Sequence, residues 1–85
     1  MAKVIIYTTD YCPFCTKAKR LLDMKQAKYE EIDVTHDETL RAEMMQKAEG
    51  RRTVPQIFID DRPIGGCDDL YALDAQGMLD RLLKK

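Results

Sequence analysis

The chain has 85 residues, 14 basic against 15 acidic side chains, a formal net charge of −1, and 45% hydrophobic residues. That size fits a single small domain over residues 1–85, and the near-neutral balance excludes the strong basic excess of a nucleic-acid module. No apolar run approaches the ~20 residues that cross a bilayer, and the start, Met1 to Asp10, lacks the apolar core and small-residue cleavage site of a signal peptide.

Lys3 to Tyr7 is a short β-branched run and predicts a buried first strand. Thr8 to Tyr11 is polar and turn-like. From Phe14 onward, Ala18, Leu21 and Leu22 form a helical stripe. Tyr29 to Val34 alternates weakly and predicts a second strand. Thr35-His36-Asp37-Glu38 has the form of a capping box for a second helix carrying Leu40, Met44 and Ala48 and stopped at Gly50. Gln56 to Ile59 predicts a third strand, turned at Asp60-Asp61 into a fourth over Arg62 to Gly65. Asp68 or Asp69 is expected to cap a last helix, which Gly77 interrupts before a short amphipathic end. The order β-α-β-α-β-β-α makes the first two strands parallel and the last two antiparallel. The expected fold is α/β, a four-stranded mixed sheet flanked by helices.

Cysteine usage carries the functional signal. Three cysteines, Cys12, Cys15 and Cys67, are too few and too odd in number for a disulfide framework. A reducing compartment would in any case not keep one, and the expected location is cytoplasmic. Cys12-Pro13-Phe14-Cys15 falls between the first strand and the first helix, in a stretch (residues 1–28) with six basic and two acidic groups; residues 29–50 carry two basic and seven acidic. A helix start presents roughly +0.5 charge and unpaired N–H groups, which favour a thiolate. Cysteines in such settings ionise well below the ordinary ~8.5. Pro13 suits the first turn because its missing N–H would be unpaired anyway. Cys12 is therefore expected to be the nucleophile, and Cys15, one turn in, the more buried resolving thiol. Lys17 and Lys19 add positive potential, weakened by exposure. Two ordinary buried cysteines are the plain alternative, and Cys-x-x-Cys at a strand-to-helix junction speaks against it. Cys12, Cys15, His36 and Cys67 would also make a zinc set on paper. Zinc pairs usually sit on knuckles, however, and His36 reads more simply as a solvated loop histidine.

Thr53-Val54-Pro55-Gln56 precedes the third strand, and two readings stay open. A cis Val54–Pro55 bond would leave the Val54 N–H and C=O free for an extended peptide; alternatively the proline merely opens an edge strand. Gly65-Gly66-Cys67-Asp68-Asp69 offers close backbone approach, helix-start N–H groups and a carboxylate for an ammonium, or else simply a turn and a cap. Arg51-Arg52 offers a cation for a second carboxylate, or a solvated basic pair. Cys67 has no thiol partner by spacing.

Together, Cys12-Pro13-Phe14-Cys15, Thr53-Val54-Pro55 and Gly65-Gly66-Cys67-Asp68-Asp69 resemble the glutaredoxin family, in particular its short bacterial dithiol members, over essentially the whole chain. The resemblance implies a thioredoxin-like fold, no bound cofactor, and glutathione as reducing cosubstrate. It implies that Cys12 attacks protein disulfides or protein–glutathione mixed disulfides. It further implies that Thr53 and Val54, beside Pro55, pair with the glutathione backbone. Asp68 and the helix start at Gly66-Cys67 would hold the γ-glutamyl end, and Phe14 and Arg51 would line the groove. Expected partners are glutathione and disulfide-containing or glutathionylated proteins, ribonucleotide reductase among them, with no nucleic acid and no membrane; the chain is expected to act as a monomer. Three positions depart from the family pattern. Thr9 stands where many relatives carry Lys, so that lysine's carboxylate contact and thiolate stabilisation are not implied here. Phe14 replaces the commoner Tyr, and Arg52 stands where Thr is frequent. A redoxin served by thioredoxin reductase is the main competing function, and Gly66-Cys67-Asp68-Asp69 argues against it. A metal or iron–sulfur module is the competitor of another class. Some glutaredoxins hold a cluster between two subunits, but Pro13 resembles the group that does not.

Overall fold

A computed structural model describes residues 2–84. The elements run β1 (Val4–Thr8), α1 (Pro13–Met24), β2 (Tyr29–Asp33), α2 (Glu38–Lys47), β3 (Gln56–Ile59), β4 (Arg62–Gly65), α3 (Cys67–Ala75) and α4 (Met78–Leu83). The sheet order is β2-β1-β3-β4. β1 pairs parallel with β2 and antiparallel with β3, and β3 pairs antiparallel with β4. This is the thioredoxin-like α/β arrangement.

Alternation along β1 divides the core between the two faces of the sheet. Val4 and Ile6 face one way and join Ala18, Leu21 and Leu22 of α1, Ile57 and Ile59 of β3, Leu70 of α3 and Leu79 of α4. Tyr7 faces the other way and joins Val34, Met44 and Ala48 around α2, with Phe58 edge-on at 5.6 Å between ring centroids. The buried positions of α1, Cys15, Ala18, Leu21 and Leu22, follow helical spacing, so the stripe that holds the helix to the sheet also pins Cys15 beneath it. β3 is buried along its whole length, whereas β4, with exposed Arg62 and Pro63, is an edge strand that proline and charge keep from further pairing.

The turn at Asp60-Asp61 is present, both residues having positive φ (50° and 67°), which aspartate tolerates in a tight hairpin. Gly77, at φ 75°, separates α3 from α4. Two caps differ from expectation. α2 is capped by Asp37, whose Oδ1 accepts from Leu40 N–H at 2.9 Å. Thr35 is engaged elsewhere: its Oγ1 accepts from Asp10 N–H at 2.9 Å and donates to Asp33. α3 begins at Cys67 with Gly66 as cap, and Asp69 reaches back to accept from Gly66 N–H at 2.8 Å. Asp68 and Asp69 thus lie inside the first turn. Among the described residues no helix is long and apolar enough to cross a membrane.

Candidate active site

β1 ends at the centre of the sheet, and the chain turns through Thr9-Asp10-Tyr11 into α1. That turn is braced from β2: Val34 N–H donates to Thr8 O at 2.8 Å, and Thr35 holds Asp10 as above. The brace fixes Cys12 as the N-cap of α1, extended at φ −108° and ψ 105°, with Pro13 opening the helix. The Cys12 sulfur takes the place a serine or aspartate oxygen usually fills and accepts from Cys15 N–H at 3.1 Å. As a thiol it donates to Val54 O at 3.6 Å, a bond that ionisation would forfeit. The Val54 carbonyl, which on one of the two readings a cis proline would leave free, is therefore engaged by Cys12 in the reduced protein.

Cys12 is partly exposed, while Cys15 is 1% exposed. Burial pushes the Cys15 thiol up from 9.0 to about 12; its hydrogen bond to Cys12 pushes the same way, and the Thr9 N–H pulls weakly against both. The two sulfurs are free thiols in contact, one reachable and one sealed. Lys19 pairs with Glu31 at 3.0 Å, and Lys17 lies 4.9 Å over the Tyr71 ring. Neither is a free cation beside Cys12, though Lys19 still acts through space on Cys15. Burial opposes ionisation of Glu31, but hydrogen bonds from Thr8 and Lys19 hold it below the usual carboxylate range.

Beside Cys12 opens a cleft of about 170 Å³ lined by Phe14, Arg51, Thr53, Val54, Pro55, Gly66, Cys67, Asp68 and Asp69. The structure thus gathers every candidate binding residue on one side of the Cys12 sulfur. The Val54–Pro55 bond is cis. Gln56, buried at the start of β3, donates from its side-chain amide to Thr53 O at 2.9 Å and fixes the cleft's floor. Arg51 reaches Asp69 Oδ2 at 3.2 Å. Arg51 thereby faces the cleft, whereas the Arg52 carbonyl accepts from Arg41 outside it at 3.2 Å. Gly65, at φ 112°, makes this clasp possible, because a Cβ there would strike both Asp69 and Arg51. Burial raises the Cys67 thiol above its ordinary value.

Sequence reasoning missed the Arg51–Asp69 clasp and the Gln56 support. The clasp had a signal, opposite charges flanking two glycines, but no periodicity to place them. His36 is exposed. Among the described residues no group of three or more His, Cys, Asp or Glu is placed to hold a metal ion, so Cys12, Cys15, His36 and Cys67 do not assemble a four-ligand set. A larger groove of about 450 Å³ runs between β4 and α3–α4, lined by residues such as Arg62, Ile64 and Met78 and holding no nucleophile.

Comparisons with known proteins agree with this fold. The family model described as Glutaredoxin matches residues 4–64. The chain is 55% identical over 84 residues to glutaredoxin 3 of Escherichia coli, covering 99% of this chain and 100% of that protein. It superposes on the solution structure of glutaredoxin from Brucella melitensis with a TM-score of 0.86 and 55% identity, covering 99% of this chain and 90% of that one. It also superposes on a buckwheat glutaredoxin–glutathione complex with a TM-score of 0.86 and 31% identity, covering 94% of this chain and 74% of that one.

Proposed function

The chain belongs to the glutaredoxin family and is a glutathione-dependent disulfide oxidoreductase with a Cys12/Cys15 redox pair; from this premise we propose that Cys12 is the nucleophile, Cys15 the resolving thiol, and the adjoining cleft the seat of glutathione. The observation that carries the proposal is the unequal placement of the sulfurs. Cys12 caps a helix start and is reachable, while Cys15 lies buried against it and is kept protonated.

The reaction then runs by thiol–disulfide exchange. The Cys12 thiolate attacks a glutathionylated protein at the glutathione sulfur. A Cys12–glutathione disulfide forms, and the protein thiolate leaves with the bond's electron pair and takes up a proton. A second glutathione thiolate attacks that mixed disulfide and departs as oxidised glutathione, returning Cys12. With a protein disulfide, Cys12 forms a mixed disulfide with the protein, and Cys15 attacks the Cys12 sulfur to close the intramolecular disulfide. Glutathione reduces that bond in turn.

The cleft's chemistry fits the tripeptide. Val54 and Thr53 present backbone to an extended peptide. The first-turn N–H groups of α3 suit the α-carboxylate of the γ-glutamyl end, and Asp68 suits its ammonium. Arg51 is the cation for the glycine carboxylate, and Phe14, 58% exposed, is the apolar wall. On this reading residues 1–85 act as one monomeric domain in a reducing, cytoplasmic setting on disulfide-containing and glutathionylated proteins.

The test follows NADPH consumption with a glutathione mixed disulfide, supplying either glutathione with its reductase or thioredoxin reductase alone. Turnover is expected only with the first. Cys15→Ser is expected to keep mixed-disulfide turnover and lose reduction of protein disulfides. Turnover driven by thioredoxin reductase without glutathione would overturn the reading.

A further inference from the structure

We propose that the Thr9 hydroxyl donates a hydrogen bond to the Cys15 sulfur in the resolving step, when Cys15 passes from buried thiol to attacking thiolate. The inference deepens the assignment of Cys12 as nucleophile and Cys15 as resolving thiol, and rests on it.

Thr9 follows β1 and is 5% exposed. Its backbone N–H lies on the Cys15 sulfur. Its Oγ1, joined to that nitrogen through Cα and Cβ, is buried and has no hydrogen-bond partner among the described residues. Leaving a buried hydroxyl unsatisfied is costly, and such groups in native structures call for a reason. The neighbouring hydroxyls sharpen the contrast. Thr8 Oγ1 donates to Glu31 at 2.7 Å, and Thr35 Oγ1 serves both Asp10 and Asp33. Among the described residues, Thr9 Oγ1 is the buried side-chain oxygen or nitrogen left without a partner in the reduced protein. Rotation about its Cα–Cβ bond, between staggered wells, carries the hydroxyl around the same amide that touches Cys15.

The idle state belongs to one stage of the cycle. In the reduced protein the Cys15 hydrogen is engaged by the Cys12 sulfur, so Cys15 has little need of further donors. Once Cys12 is bound to glutathione, its sulfur carries no charge and that hold is gone. Cys15 then loses its proton and attacks Cys12 Sγ. The Cys12–glutathione bond breaks, the Cys12–Cys15 bond forms, and glutathione departs as a thiolate that takes up one proton. During this step negative charge develops on a sulfur sealed from water. The charged or titratable groups acting on it are Cys12 from the cap and Lys19 from α1, the latter paired to Glu31 of β2. The Thr9 N–H and hydroxyl supply adjacent donors.

Thr9→Val removes the hydroxyl and keeps the shape, and Thr9→Ser keeps the hydroxyl. Both are made in the wild-type chain and in Cys15→Ser. Reduced protein is mixed with a glutathione mixed disulfide, quenched in acid and weighed by mass spectrometry, which separates Cys12 glutathionylation from ring closure. A donor that lowers a thiol by about one unit raises its thiolate tenfold and lowers its nucleophilicity about threefold, a net of about threefold. Thr9→Val is therefore expected to slow closure about threefold at neutral pH, relative to glutathionylation of Thr9→Val in the Cys15→Ser chain, and to move the closure profile about one pH unit upward. Thr9→Ser restores both. Thr9→Val is also expected to melt no lower than wild type, since an unsatisfied buried group is gone. Thr9→Ala carries the same kinetic expectation should valine fail to pack. Closure unchanged in rate and profile, closure and glutathionylation slowed alike, or no rescue by serine would overturn the proposal. Glutathione found on Cys15 in place of Cys12 would instead overturn the thiol assignment, whatever Thr9 does.

Discussion

Two helix starts face the same cleft, and they treat their unpaired N–H groups in opposite ways. α1 has no acidic residue in its first turn and directs the Cys15 N–H onto its own capping sulfur at 3.1 Å. α3 has a glycine cap without a side chain, and Asp68 and Asp69 in its first turn, with Asp69 folded back onto Gly66 N–H and Arg51. On the proposed assignment, one end holds a sulfur that belongs to the protein and reacts. The other leaves backbone donors and a carboxylate side by side, a pattern that suits a zwitterion and does no chemistry. The electrostatics of a helix start are the same in both cases; the residue at the cap decides whether it makes a reagent or a receptor.

Several substitutions break or sharpen that contrast. Cys12→Ser has the largest expected effect. Serine is a good cap, so stability should stay within about 1 kcal/mol of wild type by denaturant titration, while turnover of a glutathione mixed disulfide falls to the uncatalysed level. The next effect separates the two sulfurs of α1. With Cys15 pushed up to about 12, iodoacetamide near neutral pH is expected to label Cys12 and spare Cys15, read by mass spectrometry after digestion. The sign for stability follows from the same shift. Unfolding frees a thiol that ionises near its ordinary 9.0, so the advantage of burying it protonated is complete below 9.0 and is lost as pH climbs towards about 12. Reduced wild type should lose stability across that window more steeply than Cys15→Ser.

At the α3 end the expected effects are smaller. Gly65→Ala forces a side chain into a φ of 112° and into the Arg51–Asp69 clasp. A loss of about 1–3 kcal/mol in stability is expected, with a raised KM for glutathione. Asp68→Asn removes one exposed charge worth about 1 kcal/mol, so KM for glutathione should rise about fivefold with kcat nearly unchanged. A fall in kcat matching the rise in KM would mean that Asp68 acts on the chemistry as well as on binding.

The strands and helices were legible in the sequence because their signals are local. Val4 to Tyr7, Gln56 to Ile59 and the α1 stripe each carry their own pattern, and each forms the element expected. The thiol pair was legible for a similar reason: spacing and position at a strand-to-helix junction are both written along the chain. What escaped depends on competition between neighbours. Thr35 and Asp37 both suit a helix cap, and Thr35 lost the place because Asp10, from a different loop, uses its hydroxyl. Val54 O, free on one of the two readings of its proline, is met by Cys12, 42 residues away in the chain. Asp69 was weighed as a cap and does accept from the N-cap Gly66 N–H, but its second role as a clasp is created by the fold bringing Arg51 alongside. Such pairings follow from tertiary packing, and no periodicity announces them.

The burial of Cys15 has a kinetic consequence. With only one of the two sulfurs open to outside molecules, the electron donor and the electron acceptor must call at the same atom. They take turns there, each leaving before the next arrives. Initial rates measured against both reactants should therefore give parallel double-reciprocal lines, the signature of a shuttle with a single door.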